Sequence, residues 1–177
     1  MNDVSIDLVV DKVATGGADI VKPANRLDIK GIPVFDYLIY PAANAIADKV
    51  CATLQTYPNG RASSRVRDLV DIVVYLTTET LNGHNLSVQL ALEARLRHLE
   101  PLTRFEIPDA WRTNLSRSYA KSAKEAKLPV ALQDVEEAEQ LAKSCINPAI
   151  AREVEDALWS PETLGWEKQS RQATKQE

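Results

Sequence analysis

The stretch RVRDLVDIVVYL, residues 65–76, sets Asp68 and Asp71 three residues apart and puts Arg65 and Arg67 beside them. On a helix such positions share a face, so both carboxylates point the same way at the edge of an apolar stripe. Lys49 lies upstream in a segment whose other marked positions, Ala43, Ile46, Val50 and Leu54, are apolar. Asp7 is an acid in the middle of the apolar run VSIDLVV. A strand carboxylate, a lysine and two helical aspartates suit a site that handles phosphate and a divalent metal: the lysine as a point charge, the carboxylates as hard oxygen ligands. A plainer arrangement uses the same residues. Arg65 with Asp68, or Asp71 with Arg67, can be surface ion pairs worth little, and Lys49 can snorkel.

These side chains need elements to hold them. VSIDLVV alternates, with Val4, Ile6, Leu8 and Val10 on one face, and predicts a strand. TGGAD reads as a turn, and NRLDIKGIPVFDYLIYP as one or two short strands. Pro41 then opens a helix through PAANAIADKVCATLQTY. PNGRASS is a loop, after which Ser63 or Ser64 is placed to cap the next helix, whose broad apolar face is Val66, Leu69, Val70, Val73, Val74 and Leu76. Two helices joined by a short loop usually pack antiparallel, which would bring Lys49 to an aspartate. The second half reads as all helix, through Leu86–Leu99, Trp111–Tyr119 and Leu132–Cys145. Asn147-Pro148 reads as a helix start opening AIAREVEDALW, and SPETLGW as a turn anchored by Trp166. The expected class is α+β, a partial sheet followed by a helical bundle. Residues 1–60 form the sheet-bearing part, 61–166 the helical domain and 167–177 a polar, disordered tail.

Composition narrows the classes. The chain has 177 residues, 45% hydrophobic and 26% charged, as in an ordinary globular protein. Its formal net charge of −4 excludes a generally basic nucleic-acid binder. No apolar run reaches bilayer length, and MNDVSIDLVV lacks the features of a signal peptide. A cytoplasmic protein with no membrane contact is expected. Cys51 and Cys145 have no zinc or disulfide spacing and are expected to be buried thiols.

The segment IADKVCATLQTYPNGRASSRVRDLVDIVVYL resembles the AbiEii/AbiGii family of nucleotidyltransferase toxins, which includes the MenT toxins. The family pattern is Ala-Asp/Glu-Lys-Leu/Val-x-Ala, followed downstream by Arg-x-Arg/Lys-Asp-Leu-x-Asp-Leu. Here these are Ala47-Asp48-Lys49-Val50-Cys51-Ala52 and Arg65-Val66-Arg67-Asp68-Leu69-Val70-Asp71-Ile72. RFEIPDAWRTNLSRSYAKSA, VEEAEQLAKSCINPAI and LWSPETLGW are similar to the family's C-terminal helices. The resemblance implies a polymerase-β-like nucleotidyltransferase core and the toxin half of a bacterial toxin–antitoxin or phage-defence operon. It implies transfer of NMP from an NTP to an acceptor such as tRNA, with Mg2+ as the metal and a cognate antitoxin as partner. By position, Lys49 would contact the NTP phosphates together with Arg65 and Arg67. Asp71 would be the essential carboxylate with Asp68 as its companion, and Asp7 a metal ligand or the base for the attacking hydroxyl.

One family element has no counterpart. The first motif, Gly-Ser followed by Asp-x-Asp, holds the triphosphate and the metal in the family and precedes the strand that VSIDLVV matches. The chain begins at that strand. Gly16-Gly17 followed by Asp28-Ile29-Lys30 is a poor substitute, because Lys30 stands where the second acid belongs and Pro23 interrupts the intervening helix. The resemblance therefore implies an N-terminally truncated toxin, expected to be inactive as this chain. The alternative is a non-catalytic helical interaction module that binds an antitoxin or tRNA.

The remaining residues have bland readings. Thr113, Arg117, Lys121 and Lys124 form a stripe that suits RNA phosphates or a solvated face. His84 and His98 read as surface or capping residues, and the three tryptophans as core and staples. Asp134, Glu136, Glu137 and Glu139 are expected on the outer face of their helix.

Overall fold

The computed structural model describes residues 17–23, 29–31, 33–58 and 60–168. The chain divides into two units, Met1–Pro41 and Ala42–Glu177. In the first, β1 (Asp19–Val21) pairs antiparallel with β2 (Tyr37–Ile39), Asp19 opposite Ile39 and Val21 opposite Tyr37. β2 is one of the short strands expected around residues 25–41. The strand expected over VSIDLVV, with Asp7, lies outside the described residues.

The second unit carries the helices. Pro41 precedes α1 (Ala42–Leu54), as its missing N–H and preset φ favour. α1 stops short of the end expected for it at Tyr57: a tight hairpin of β3 (Thr56–Tyr57) and β4 (Arg61–Ala62) takes up its last residues and part of the loop expected after it, and Gly60 takes the left-handed φ of +69° that its turn demands. Then come α2 (Val66–Thr78), β5 (Leu81–Asn82), α3 (Gly83–Leu96), a π-helical turn (Trp111–Leu115) running into α4 (Ser116–Glu125), and α5 (Val135–Ile150). β6 (Ala157–Ser160) and β7 (Gly165–Lys168) close the described chain. The described residues are thus α+β: five α-helices with small antiparallel sheets.

α2 is the central helix. It packs against α1, α4 and α5, and Leu69, Ile72, Val73 and Leu76 are fully buried. Each such side chain contributes on the order of 1.5–3 kcal/mol. α3 lies on α1 and α5. It starts hard against the turn after α5, for a Cβ on Gly83 would fall 1.8 Å from the Val154 carbonyl oxygen. Asn82 caps it, its side chain accepting from the Asn85 amide at 2.9 Å.

The second half is not all helix. β5, β6 and β7 form a three-stranded antiparallel sheet in that order, with Leu81 opposite Trp159 and Trp159 opposite Trp166. AIAREVEDALW therefore does not form the expected helix. Asn147-Pro148 starts nothing either, because α5 runs through both. A tertiary contact overrides the local signal. The Asn147 carboxamide, free to cap in isolation, accepts the Phe105 amide at 2.7 Å instead. Pro148 lies two residues from the end of α5, so the helix has little length left beyond it to disturb. Arg152, at a left-handed φ of 58°, then turns the chain toward β6. Trp159 alternates inward there and is fully buried. Trp166 meets it edge-on at 5.6 Å and donates to the Cys145 carbonyl, so the anchoring role expected of Trp166 holds. Cys51 and Cys145 are buried free thiols, and burial pushes the Cys51 thiol up to about 12. No helix among the described residues is long and apolar enough to cross a membrane.

Candidate functional site

Lys49 reaches out of α1 near the end of its apolar stripe and meets α2 across the loop. Its Nζ donates to Asp71 Oδ2 at 2.6 Å and lies 3.7 Å from Asp68 Oδ1. The expected approach of lysine and aspartate therefore occurs, and both acids share the ammonium because i and i+3 share a face. Arg65 closes the group from the other side, its Nε 2.8 Å from Asp68 Oδ2. Arg67 is exposed on the same turn, and Arg61 is exposed on β4.

The members differ in solvation. The Asp68 side chain is 7% exposed and that of Asp71 49%. Burial pushes the Asp68 carboxyl above its ordinary range, and Arg65 and Lys49 only partly offset it. Asp68 Oδ2 is buried with no aligned hydrogen bond, since the close Arg65 Nε does not direct its N–H at it. For Lys49, burial favours the neutral amine, but the hydrogen bond from Lys49 to Asp71 and the charges of Asp71 and Asp68 outweigh it and raise its pKa. Lys49 is thus a held cation. It can neutralise a phosphate oxygen, but it cannot act as a base at neutral pH.

A metal does not fit this set. Among the described residues no group of three or more His, Cys, Asp or Glu side chains is placed to hold one, and Asp68 and Asp71 are each matched to a cation. Asp7, the expected metal ligand, lies outside the described residues.

The entry to α2 is not capped as expected. Arg65, not a serine, is its N-cap residue, and no side chain caps it. Ser63 is 2% exposed and is used otherwise: its Oγ accepts the Arg65 amide at 3.3 Å, and its carbonyl accepts Trp111 Nε1 at 2.6 Å. The residue before Lys49 is also committed, since Asp48 pairs with Arg97, which further bonds Gln55 and approaches Glu93. Trp111 and Trp159 are fully buried, consistent with core roles. Among the sequence signals only the indole N–H of Trp111 hinted at its link, because a buried Trp donor needs an acceptor.

Two surface expectations divide. The stripe of Thr113, Arg117, Lys121 and Lys124 is solvated throughout, and His84 and His98 are exposed. Glu139, however, is not on an outer face. It is 1% exposed and accepts from the Ile107 amide at 3.1 Å, Arg112 at 2.5 Å and Lys143 at 2.8 Å. The helix period put it with Glu136, but the segment 97–110 folds over it. Asp134 caps α5 by accepting from the Glu136 and Glu137 amides.

A cleft of about 510 Å3 opens elsewhere, between α3 and the end of α5, lined by Leu90, Ala94, Leu102 and Ile150 with Glu100 and Arg152 beside them. It includes none of Lys49, Arg65, Asp68 or Asp71. We assign the candidate site to the charge cluster, because there one lysine is shared by a buried acid, Asp68, and a half-exposed one, Asp71, that opens to solvent.

No curated protein and no solved structure matches the chain. The family model described as the nucleotidyl transferase AbiEii toxin of type IV toxin–antitoxin systems matches residues 2–143, which include both Lys49 and the Arg65–Asp71 segment. The chain belongs to the AbiEii family of nucleotidyltransferase toxins.

Proposed function

We propose that this chain carries the nucleotide-contacting part of a nucleotidyltransferase toxin that moves NMP from an NTP to an acceptor such as tRNA. The observation that carries the reading is the Lys49 ammonium held between Asp71 and Asp68, within the residues the family model matches. In this reading Lys49, Arg65 and Arg67 contact the triphosphate. Asp71 is the essential carboxylate: half exposed, it holds the Lys49 ammonium in place beside the phosphates. The acceptor 3′-oxygen bonds to the α-phosphorus, the bond to the bridging oxygen breaks, and pyrophosphate leaves. Fixed cations at the phosphates stabilise the developing charge. Asp7 is the candidate base for the hydroxyl proton.

The fold reading belongs with it: residues 1–60 as part of a polymerase-β-like nucleotidyltransferase core and residues 61–166 as its helical domain. The sequence contains no Gly-Ser followed by Asp-x-Asp. Transfer therefore requires an acidic pair from outside these residues, and the chain by itself is inactive. The cognate antitoxin is the expected protein partner, and the cytoplasm the expected compartment.

A second reading is a non-catalytic module that binds the antitoxin or tRNA. It is favoured by the same cluster seen as closed, with Lys49 and Arg65 both engaged by acids. Transfer of labelled NTP to total tRNA separates the two. The chain would be compared with any longer reading frame containing it, with Asp71→Ala in both. Activity in the longer form alone, lost with Asp71→Ala, supports the enzyme. Silence in both supports the module.

A further inference from the structure

Arg65 has a side chain half in solvent, yet it lies against a buried carboxylate. Something must restrict it, because a free arginine loses on the order of 2 kcal/mol of rotamer entropy when held. Its own helix supplies only the Asp68 pair: the backbone of Arg65 sits outside the helix at φ −82°, ψ 58°, with no side-chain cap. The restraint comes from the other side of the fold. Trp111 Nε1 donates to the Ser63 carbonyl at 2.6 Å, and Ser63 Oγ accepts the Arg65 amide. Trp111 opens the π-helical turn, a form often found where a functional side chain is positioned. The next residue, Arg112, bonds the buried Glu139 of α5, which also takes the Ile107 amide. The turn is thus bolted to α5 on one side and to the entry of α2 on the other.

We infer that Trp111 is a positioning residue: acting through Ser63, it fixes Arg65 over Asp68 and so sets the phosphate-facing edge of the site. The phosphate role rests on the function proposed above; the brace itself does not. The protein supplies its own control. Trp159 is equally buried and also donates its indole N–H to a backbone carbonyl of α2, Leu76 at 2.9 Å, near the opposite end of the helix. Trp111→Phe and Trp159→Phe each remove one such bond and shrink one buried ring. A merely structural role predicts the same consequences for both.

The test reads the order of the Arg65 Nε–H vector by 15N relaxation in the full chain, alongside ATP and GTP affinity. In wild type and Trp159→Phe, Arg65 is expected to be ordered. In Trp111→Phe it becomes mobile, and nucleotide affinity falls about tenfold, the loss of one charge-assisted contact. An Arg65 that stays ordered in folded Trp111→Phe, or that loosens equally in both variants, overturns the inference. If Trp111→Phe does not fold, Ser63→Ala removes only the hydroxyl link, and an ordered Arg65 there overturns it as well. If wild type binds neither nucleotide, the phosphate reading fails, while the Arg65 comparison still decides the brace.

Discussion

Two of the buried carboxylates among the described residues, Asp68 and Glu139, are solved in opposite ways. Their side chains are 7% and 2% exposed, and each has two cations beside it. Glu139 also accepts a backbone amide, and both of its oxygens are engaged. Burial alone would raise its pKa, yet the hydrogen bonds from Lys143, Ile107 and Arg112 win and lower it. Asp68 has no amide and one oxygen without an aligned donor, and there burial wins. A fully satisfied buried charge is a clamp. An under-satisfied one beside a held lysine is where a ligand can change the balance.

The largest effect should come from breaking the clamp. Glu139→Ala strands Arg112, Lys143 and the Ile107 amide and should cost roughly 3–5 kcal/mol, as for other broken buried pairs. That is a fall in melting temperature of roughly 6–20 °C for a chain of this size. A fall of only about 2 °C in thermal unfolding would mean that Glu139 is no clamp.

The pH dependences should have opposite signs. Glu139, lowered in the fold, contributes stability present above its ordinary value of 4.5 and lost as pH falls through its folded value. Asp68, raised in the fold, contributes stability present below 3.8 and lost as pH rises through its folded value. In urea unfolding from pH 3 to 7, the gap between wild type and Glu139→Gln should therefore narrow below about pH 4.5. That for Asp68→Asn should shift in the variant's favour as pH rises. Parallel trends in the two variants would erase the distinction.

At neutral pH Asp68→Asn should be mild, within about 1 kcal/mol, because it removes a charge whose burial is already poorly compensated. A loss comparable to Glu139→Ala would make Asp68 a second clamp and weaken its place in the site. Least of all should follow from Lys121→Ala, whose pair with Glu125 at 3.9 Å is solvated on both sides. Its stability should stay within about 0.5 kcal/mol and its tRNA binding unchanged. Weaker binding with a shallower salt dependence would make the stripe an RNA contact after all.

Local patterns in the sequence were enough to place α1 and α2, the apolar face of α2, the buried cysteines and the meeting of Lys49 with Asp71 and Asp68. All of these follow from helix period and a short connection, which act over a few residues. Other outcomes needed partners distant in sequence. Asn147-Pro148 carries a sound starting signal, but Phe105 claims the Asn147 side chain. ALWS gains its strand pairing from β5 and β7. Glu139 is buried because segment 97–110 crosses it, and Ser63, one of the two serines expected to cap α2, gives its hydroxyl to the Arg65 amide and its carbonyl to Trp111. In each case a polar group had several acceptable partners locally, and only the assembled fold decided which was nearest when water was excluded.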